Sequence, residues 1–205
     1  MNYDDFIDGF LIRSIYMGAK WALRLWIPSN PMVVLGRFSK ESEEIKEECK
    51  LPIKRRLGGG CSVTIYPGTI IVSLAINRSL RPEIFPRDWI AFINRSVISA
   101  LEALGLDEIE EQGWGDITCK DKKIGGISLY SSKDVILYQL SLIYHLDIEL
   151  IESSLKHPPR EPNYRKGRNH RSFLSSIKEI APRISQYSVM QKIEEKLRED
   201  LSKVV

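Results

Sequence analysis

The sequence predicts an α+β fold in which a mostly antiparallel mixed sheet is flanked by helices. Residues 116–119, 123–130 and 134–144 are three successive runs typical of β-strands, and short charged turns join them. Short turns favour antiparallel neighbours. On either side of these runs, residues 88–104 and 188–202 carry apolar side chains at helical spacing, and we expect them to cover the sheet.

The N-terminal part of the chain supplies further strands and helices. Residues 4–19 show roughly helical apolar spacing, and residues 21–27 alternate as a strand does. After a turn that contains two prolines, residues 32–35 are expected to form a buried strand. The acidic residues 39–50 are predicted to be helical, with Ser39 as a candidate N-cap.

The elements after residue 50 are predicted from apolar runs and from the positions of glycine and proline. A short strand is expected near Ile53 and a longer apolar strand at residues 69–76. Gly105 is placed to end the helix that precedes it. A short helix near residues 147–155 precedes a polar, proline-rich segment, residues 157–171.

The bulk composition narrows the class of protein. A chain of 205 residues with 43% hydrophobic content suits one domain spanning residues 1–205, in which residues 188–205 form a C-terminal helix. The formal charge is +3, and basic residues alternate with acidic ones, so no nucleic-acid partner is expected.

Cysteine usage and the N-terminus narrow the class further. The three cysteines are widely spaced and form no CxxC pair, which disfavours disulfide scaffolding and a zinc site, and we expect no metal bound by the protein itself. The acidic N-terminus is unlike a signal peptide, and no apolar run reaches membrane-spanning length. We therefore expect a cytoplasmic protein without a membrane partner.

The most informative stretch is the glycine loop (residues 55–62), in which two arginines precede three consecutive glycines. Glycines expose successive backbone N–H groups, and guanidinium groups bind phosphate or carboxylate through several donors. The loop therefore predicts a ligand that carries an anion. The alternative is that the glycines serve a tight turn.

These and other segments resemble one known family. Residues 55–60 (Arg-Arg-Leu-Gly-Gly-Gly) and 122–126 (Lys-Lys-Ile-Gly-Gly) are similar to two of its motifs, and residues 31–38 resemble its second strand and following turn. Residues 115–117 (Gly-Asp-Ile) and 158–170 resemble two more. The chain is identified as a member of the lipoate–protein ligase A and octanoyltransferase superfamily, whose catalytic fold is shared with biotin–protein ligases.

The resemblance implies an activity and its substrates. An enzyme of this kind activates lipoate or octanoate with ATP and Mg²⁺ to an acyl-adenylate, then transfers the acyl group to a lysine of a lipoyl domain. Because many lipoate ligases carry a further C-terminal domain, a separate accessory subunit is expected as a second partner. Biotin is a disfavoured substrate among those that the fold allows.

The resemblance also assigns residues to roles. Lys123 is the implied catalytic residue, whose ammonium would stabilise charge on the α-phosphate and the acyl carbonyl. Substrate and nucleotide contacts are implied for Arg55, Arg56, Gly58, Gly59, Gly60, Cys61, Ser62, Asp116, Gly126 and Ser128. Read from the residues alone, a lysine in a charged hairpin such as Lys123 is ordinarily solvated, and Asp116 is equally well a turn or cap residue or a functional one. His170 and Tyr164 are expected to pack or hydrogen-bond without a catalytic role.

Two alternatives stay open. An octanoyltransferase that uses an acyl carrier protein thioester needs a cysteine nucleophile; Cys61 beside two arginines is the candidate, although a small, buried, inert cysteine is the more common case. Cys119 is expected to fill a strand. The second alternative is a non-catalytic paralogue that binds acyl groups or partners. It is motivated by departures from the family at residues 65–66, 127–130 and 138–141.

Overall fold

The computed structural model describes residues 5–205, with side chains described from residue 7 onward. The first helix, α1, is Asp5–Tyr16, so residue 4 of the predicted helix lies outside the described residues. Leu11 and Ile15 are one helical turn apart and both buried. They pack against Ala75 and other apolar side chains, which fixes α1 on one face of the sheet.

A six-stranded sheet forms the centre of the fold, and all of its strand pairs are antiparallel. The predicted strands are confirmed with shifts of one or two residues at their ends. In spatial order the strands are β1 (Trp21–Trp26), β5 (Thr69–Asn77), β9 (Val135–Ile143), β8 (Lys122–Ser131), β7 (Asp116–Cys119) and β6 (Ile109–Gln112).

A separate three-stranded sheet was not expected from the sequence. Its order is β3 (Ile53–Arg55), β2 (Met32–Leu35) and β4 (Val63–Ile65). The β2–β3 pair is parallel and the β2–β4 pair antiparallel, so the molecule as a whole has mixed pairing. The glycine loop connects β3 to β4, and therefore lies within this small sheet rather than ahead of β5.

The helices divide between the two faces of the large sheet. Helices α3 (Pro86–Glu102) and α7 (Gln186–Val204) cover one face, where Trp89, Tyr138 and Leu197 are fully buried. Burying such large apolar side chains stabilises a fold by about 1.5–3 kcal/mol each. The shorter helices are α2 (Glu41–Glu44), α4 (Ile148–Ser154), α5 (His170–Phe173) and α6 (Ile177–Ile180).

One predicted helix is wrong. Residues 39–50 were expected to be helical throughout, but only α2 is helical there, and its N-cap is Lys40. Ser39 instead donates from Oγ to the carbonyl of Gly60 at 3.2 Å. The acidic residues lack an apolar stripe long enough to bury, and Ile45 leaves the helix in an extended conformation to bridge Leu155.

The second face of the large sheet carries α1 and the small sheet. Ile7 of α1, Val34 of β2 and Ile71 of β5 form one apolar cluster there. The functional residues described next lie on this face. No helix among residues 5–205 is long and apolar enough to span a membrane.

Candidate active site

A β-bulge places Lys123 on the second face of the large sheet. Ile117 pairs with Gly125 while Thr118 pairs with Lys123, so Ile124 is an extra residue in β8. A bulge shifts the alternation of side chains by one position. Ile124 is fully buried in the core beneath α3 and α7, whereas Lys123 and Gly126 share the opposite face. Without the bulge, three residues of separation would place them on opposite faces.

The Lys123 ammonium is held by Asp116. Its Nζ lies 2.8 Å from Asp116 Oδ1, and the two side chains are 26% and 15% exposed. The other carboxylate oxygen, Oδ2, accepts a hydrogen bond from the Tyr164 hydroxyl at 2.8 Å. Burial, and after it the Asp116 carboxylate, raises the pKa of Tyr164, so the phenol stays protonated as a donor. The result is a half-buried ammonium in a fixed position.

Gly126 provides the space for this lysine. A Cβ atom at Gly126 would lie 2.7 Å from both Cε and Nζ of Lys123 and 3.5 Å from Asp116 Oδ1. The lysine stem therefore lies directly across the glycine. The absence of a side chain at this position is what allows Lys123 and Asp116 to pair.

The backbone on both sides of the pair is also fixed. Lys123 O accepts from the N–H of Ser175 at 3.0 Å. Asn94, fully buried on α3, donates to the carbonyl of Gly115 at 3.2 Å and accepts from the Tyr138 hydroxyl at 2.6 Å. Sequence reasoning missed Asn94, because a single asparagine on an amphipathic helix carries no local signal of what it contacts.

The glycine loop reaches the same face of β8 two residues further on. Ser128 and Gly126 alternate onto one face, and Gly58 packs so closely on Ser128 that a Cβ would lie 2.0 Å from its Oγ. Gly60 has φ +89°, a conformation that L side chains rarely adopt. Two of the three glycines are thus structurally required. Gly58 allows the close approach to Ser128, and Gly60 adopts the positive φ of the turn.

Arg56 fixes the loop from within. It is 7% exposed, and its guanidinium donates to Ser128 Oγ and to the carbonyls of Val34, Gly59 and Cys61 at 2.7–3.1 Å. Burial lowers the pKa of Arg56 to about 10, and the nearby Glu44 carboxylate opposes that shift. The guanidinium remains charged at neutral pH.

Arg55 likewise donates to backbone oxygens. Its Nη1 contacts the carbonyls of Gly36, Arg37 and Ser39 at 2.8, 3.3 and 2.8 Å. Both arginines therefore hold the turn after β2 and the glycine loop together. Their predicted contacts with substrate stay a prediction, and the geometry adds a scaffold role that sequence reasoning did not assign.

Part of the loop already binds an anion from this chain. The buried Glu44 carboxylate accepts from both the N–H and the hydroxyl of Ser62, at 2.5 and 2.6 Å. At Ser62 an internal carboxylate therefore occupies the anion-binding groups of the loop, and binding of a ligand anion stays a prediction. A ligand would have to use the remaining loop N–H groups or displace Glu44.

The proline-rich segment connects the loop to the lysine. The Cys61 thiol donates to the carbonyl of Arg160 at 3.5 Å, and four residues later Tyr164 reaches Asp116. Cys119 is buried in the core, as expected.

The structure brings part of the predicted site together around β8, whereas Arg55, Cys61 and Ser62 contact the turn after β2, the proline-rich segment and Glu44 instead. Lys123, Asp116 and Gly126 are in direct contact, and the glycine loop lies against Ser128 next to them. Tyr164, expected to have only a packing or hydrogen-bonding role, makes its hydrogen bond to a site residue. Among residues 5–205 no group of three His, Cys, Asp or Glu side chains is arranged to hold a metal ion.

The fold and the site together define an α+β domain in which a lysine–carboxylate pair lies beside a glycine loop on a large antiparallel sheet. The family described as lipoyl protein ligase A/B catalytic domain matches residues 8–198. The chain belongs to this family.

Two curated relatives illustrate the range within it. A lipoate–protein ligase of Streptococcus pyogenes serotype M5 (strain Manfredo) is 29% identical over 159 residues, covering 75% of this chain and 45% of that protein. An inactive lipoate–protein ligase 2 of Plasmodium falciparum (isolate 3D7) is 25% identical over 181 residues, covering 71% and 47%. The chain spans about half the length of the curated relatives it matches.

Solved structures share the fold. A lipoate-protein ligase A bound with ATP is 22% identical with a TM-score of 0.79, covering 95% of this chain and 78% of that one. A bipartite ligase from Thermoplasma acidophilum, solved in a study of its lipoylation system, is 22% identical, with a TM-score of 0.77 and coverage of 93% and 76%. The T. acidophilum protein Ta0514 with bound lipoic acid is 19% identical, with a TM-score of 0.78 and coverage of 98% and 82%.

Proposed function

We propose that this chain activates lipoate or octanoate with ATP and transfers the acyl group to a lysine of a lipoyl domain. In the first step a carboxylate oxygen attacks the α-phosphate and pyrophosphate leaves. In the second step the acceptor lysine amine attacks the acyl carbonyl, AMP leaves, and an amide forms. The proposal is supported by family membership and by the names of the relatives, one of which was solved with ATP and another with lipoic acid.

The single observation that carries the proposal is the position of Lys123. Its ammonium is half-buried, fixed 2.8 Å from Asp116 and next to the glycine loop on the same strand face. A fixed positive charge stabilises developing negative charge better than water does, because it need not reorient during the reaction. Lys123 would therefore contact the α-phosphate and the acyl carbonyl oxygen, and Asp116 would hold it there.

Mg²⁺ would arrive with the nucleotide. Magnesium at such sites is held by one or two carboxylates together with substrate phosphates. Asp116 is the site carboxylate, and one of its oxygens already pairs with Lys123. The residues present thus fit a metal carried mainly by the triphosphate, which would neutralise phosphate charge during adenylation.

Acid-dependent exchange between ATP and labelled pyrophosphate tests the first step directly. We expect exchange with lipoate or octanoate and none without an acid. Lys122→Ala is a matched control, since Lys122 is an exposed neighbour on the same strand. It should retain exchange, whereas Lys123→Ala should lose it.

A non-catalytic acyl- or partner-binding paralogue is the second candidate. It is favoured by the inactive relative and by the commitment of both loop arginines to backbone carbonyls. A protein that binds lipoate or octanoate, stays folded and gives neither exchange nor transfer would support this candidate against the ligase.

An octanoyltransferase that takes the acyl group from a carrier-protein thioester is the third. It would use Cys61 as a thiolate nucleophile, yet the thiol donates to Arg160 O and joins two loops. Acyl transfer without ATP that is abolished by Cys61→Ala would support the transferase. Ligase activity that survives Cys61→Ala would exclude it.

We further propose that a second polypeptide completes the enzyme. One structural neighbour is a bipartite lipoate protein ligase. The pure chain should then transfer the acyl group to a lipoyl domain poorly until the second subunit is added. Full adenylation and transfer by the chain alone would contradict this proposal.

A further inference from the structure

The turn between β6 and β7, residues 113–115 (Gly-Trp-Gly), directly precedes Asp116 of the candidate site. Its central side chain, Trp114, is 79% exposed. Single exposed apolar side chains are common on protein surfaces and need no explanation on their own. What distinguishes Trp114 is the set of contacts that fixes the turn around it.

Arg87, near the start of α3, holds the turn from one side. Its guanidinium lies 4.9 Å over the Trp114 ring, to which the ring quadrupole attracts it. Its Nη2 donates to the carbonyl of Gly113 at 3.3 Å and lies 3.6 Å from Glu111 Oε1. Arg87 therefore restrains both the indole and the main chain that precedes it.

Asn94, buried on α3, holds the other end of the turn. Its amide nitrogen donates to the carbonyl of Gly115 at 3.2 Å and to Glu111 Oε2 at 2.8 Å. Gly113 and Gly115 have φ +60° and +105°, which L side chains rarely adopt. The main chain of the turn is thus fixed on both sides, whereas the indole that it presents is left mostly in water.

The turn also contacts the proline-rich segment. A Cβ atom at Gly113 would lie 3.3 Å from Pro162 Cβ and 3.5 Å from Tyr164 Cε1. Arg160 lies two residues before Pro162 and Lys166 two residues after Tyr164, and both are exposed. Within the described part of the chain neither side chain makes an ion pair. The turn and the segment thus form one surface that carries two unpaired cations.

Glu161, the acidic residue between these cations in the sequence, is committed to other groups. Its carboxylate accepts from the N–H of Gly167 at 2.9 Å, and it lies 2.9 Å from His157 Nε2 and 3.5 Å from Arg165 Nε. The surface beside Trp114 therefore keeps its positive charge. Such a surface is complementary to a partner that carries carboxylates.

A protein that receives an acyl group at Lys123 must come close to this surface. The attacking amine has to lie about 3–3.5 Å from the acyl carbon, on a lysine stem of about 6 Å. The main chain of the acceptor therefore passes within about 10 Å of that carbon. Trp114 precedes Asp116 by at most about 7 Å of chain, and Asp116 contacts Lys123. An acceptor domain in this position lies against the turn.

We propose that Trp114, Arg160 and Lys166 form the docking surface for the lipoyl domain that carries the acceptor lysine. An apolar side chain of that domain covers the indole, and carboxylates beside its lysine meet the two cations. Tryptophan and arginine are among the side chains on which binding energy at protein interfaces concentrates. The inference rests on the proposed function for the identity of the partner.

Isothermal titration calorimetry with an unmodified lipoyl domain, in the absence of ATP, tests the inference. We expect the wild-type chain to bind the domain and Trp114→Ala to bind it at least about tenfold more weakly. Tyr187→Ala is the matched control, since Tyr187 is 67% exposed on α7, and it should bind as the wild type does. No binding by the wild type, or equal binding by Trp114→Ala, overturns the inference.

Lys166→Glu tests the electrostatic part of the surface. Reversing this charge should weaken binding at low salt by about threefold or more, and added salt should reduce the difference by screening. Lys133→Glu, in the exposed turn at the other end of β8, should bind as the wild type does. Equal binding by Lys166→Glu and the wild type at low salt overturns the assignment of the cations. If Trp114→Ala fails to fold, this pair of variants decides alone.

Sedimentation velocity on the same variants distinguishes a second copy of the chain as the occupant. Self-association of the wild type that Trp114→Ala abolishes, with binding of the lipoyl domain unchanged, would assign the surface to that contact and overturn the inference.

The test is separable from the test of adenylation. Pyrophosphate exchange by the wild type together with lipoyl-domain binding that does not depend on Trp114 would keep the ligase and reject the docking surface. Binding that depends on Trp114 without any exchange would keep the surface and reject the ligase in favour of a partner-binding paralogue.

Discussion

Tyr164 donates a hydrogen bond to Asp116 at 2.8 Å, across 48 residues of sequence, and Asp116 in turn pairs with Lys123. The tyrosine does not contact the lysine through any hydrogen bond of its own. It restrains the carboxylate that positions the ammonium, and it is therefore a positioning residue. Through Tyr164 the proline-rich segment thus contributes a side chain to the site.

Tyr164→Phe should lower kcat for adenylation about tenfold and leave KM for the acid nearly unchanged. The phenyl ring keeps its packing against Phe173, 5.3 Å away, while the restraint on Asp116 is lost. Hydrogen bonds to charged groups are worth about 1.5–3 kcal/mol, which sets the scale of the effect. Steady-state exchange kinetics measure it, with Tyr187→Phe on the exposed surface of α7 as the control. A rise in KM with kcat unchanged would show that Tyr164 contacts substrate instead.

Adjacent glycines on β8 should respond in opposite ways. Gly126→Ala places a methyl group 2.7 Å from Lys123 Nζ, and the flexible lysine must move away from Asp116. We expect a loss of exchange rate of at least tenfold with stability nearly unchanged. Gly125→Ala projects into the core, 3.1 Å from methyl groups of Leu140 and Leu142, and should lower the melting temperature while kcat is kept. Thermal melts and exchange rates on both variants test this contrast; the reverse pattern would contradict the bulge geometry.

The two loop arginines should differ in their effect on stability. Arg56→Lys replaces a buried guanidinium with four acceptors by a single ammonium, which leaves several carbonyls unpaired. The free energy of unfolding should fall by about 3 kcal/mol. Arg55→Lys should cost less than about 1 kcal/mol, because one nitrogen makes all three of its contacts at a half-buried position. Urea unfolding of both variants measures the difference, and equal losses would show that burial of Arg56 carries no extra cost.

The pH dependence of stability should report on Asp8. Burial raises the pKa of Asp8 from 3.8 to about 6, while hydrogen bonds from Ser73 and Gln139 and the charge of Arg24 oppose the shift. The folded chain thus binds this proton more tightly than the unfolded chain. The associated stability is fully present below about pH 4 and is lost as the pH rises through about 6.

Asp8→Asn removes that loss, since the amide does not ionise. Its stability relative to wild type should increase by about 3 kcal/mol between pH 4 and pH 6 and stay constant above that range. Denaturant unfolding at a series of pH values measures the difference in free energy of unfolding between Asp8→Asn and the wild type. A difference for Asp8→Asn that does not change with pH would indicate that the folded pKa of Asp8 is near its usual value.

The sequence was sufficient for the elements whose signals are local. The amphipathic spacing in α3, the alternation in β1 and the charged turns between the late strands each depend on neighbouring residues. The family motifs likewise predicted that Lys123, Asp116, Gly126 and the glycine loop belong to one site. For these features, pattern and structure agree to within a few residues.

What the sequence did not reveal depends on contacts between distant residues. The bulge at Ile124 arises from strand register, and only the folded sheet shows that it turns Lys123 onto the face of Gly126. Glu44 meets Ser62 across 18 residues, and Asp8 meets Gln139 across 131. The helix predicted for the acidic residues 39–50 was wrong, because this segment has no apolar face that a long helix could bury.

Acid-dependent ATP–pyrophosphate exchange by the wild-type chain and by Lys123→Ala tests whether the Lys123 ammonium carries out adenylation. Lys123 is held by one ion pair, so its truncation should leave the fold intact, which circular dichroism and thermal melting can verify. We expect exchange by the wild type and by Lys122→Ala. In Lys123→Ala the exchange rate should fall by at least a hundredfold, on the scale of one preorganised electrostatic contact. Exchange at the wild-type rate in folded Lys123→Ala would contradict this expectation.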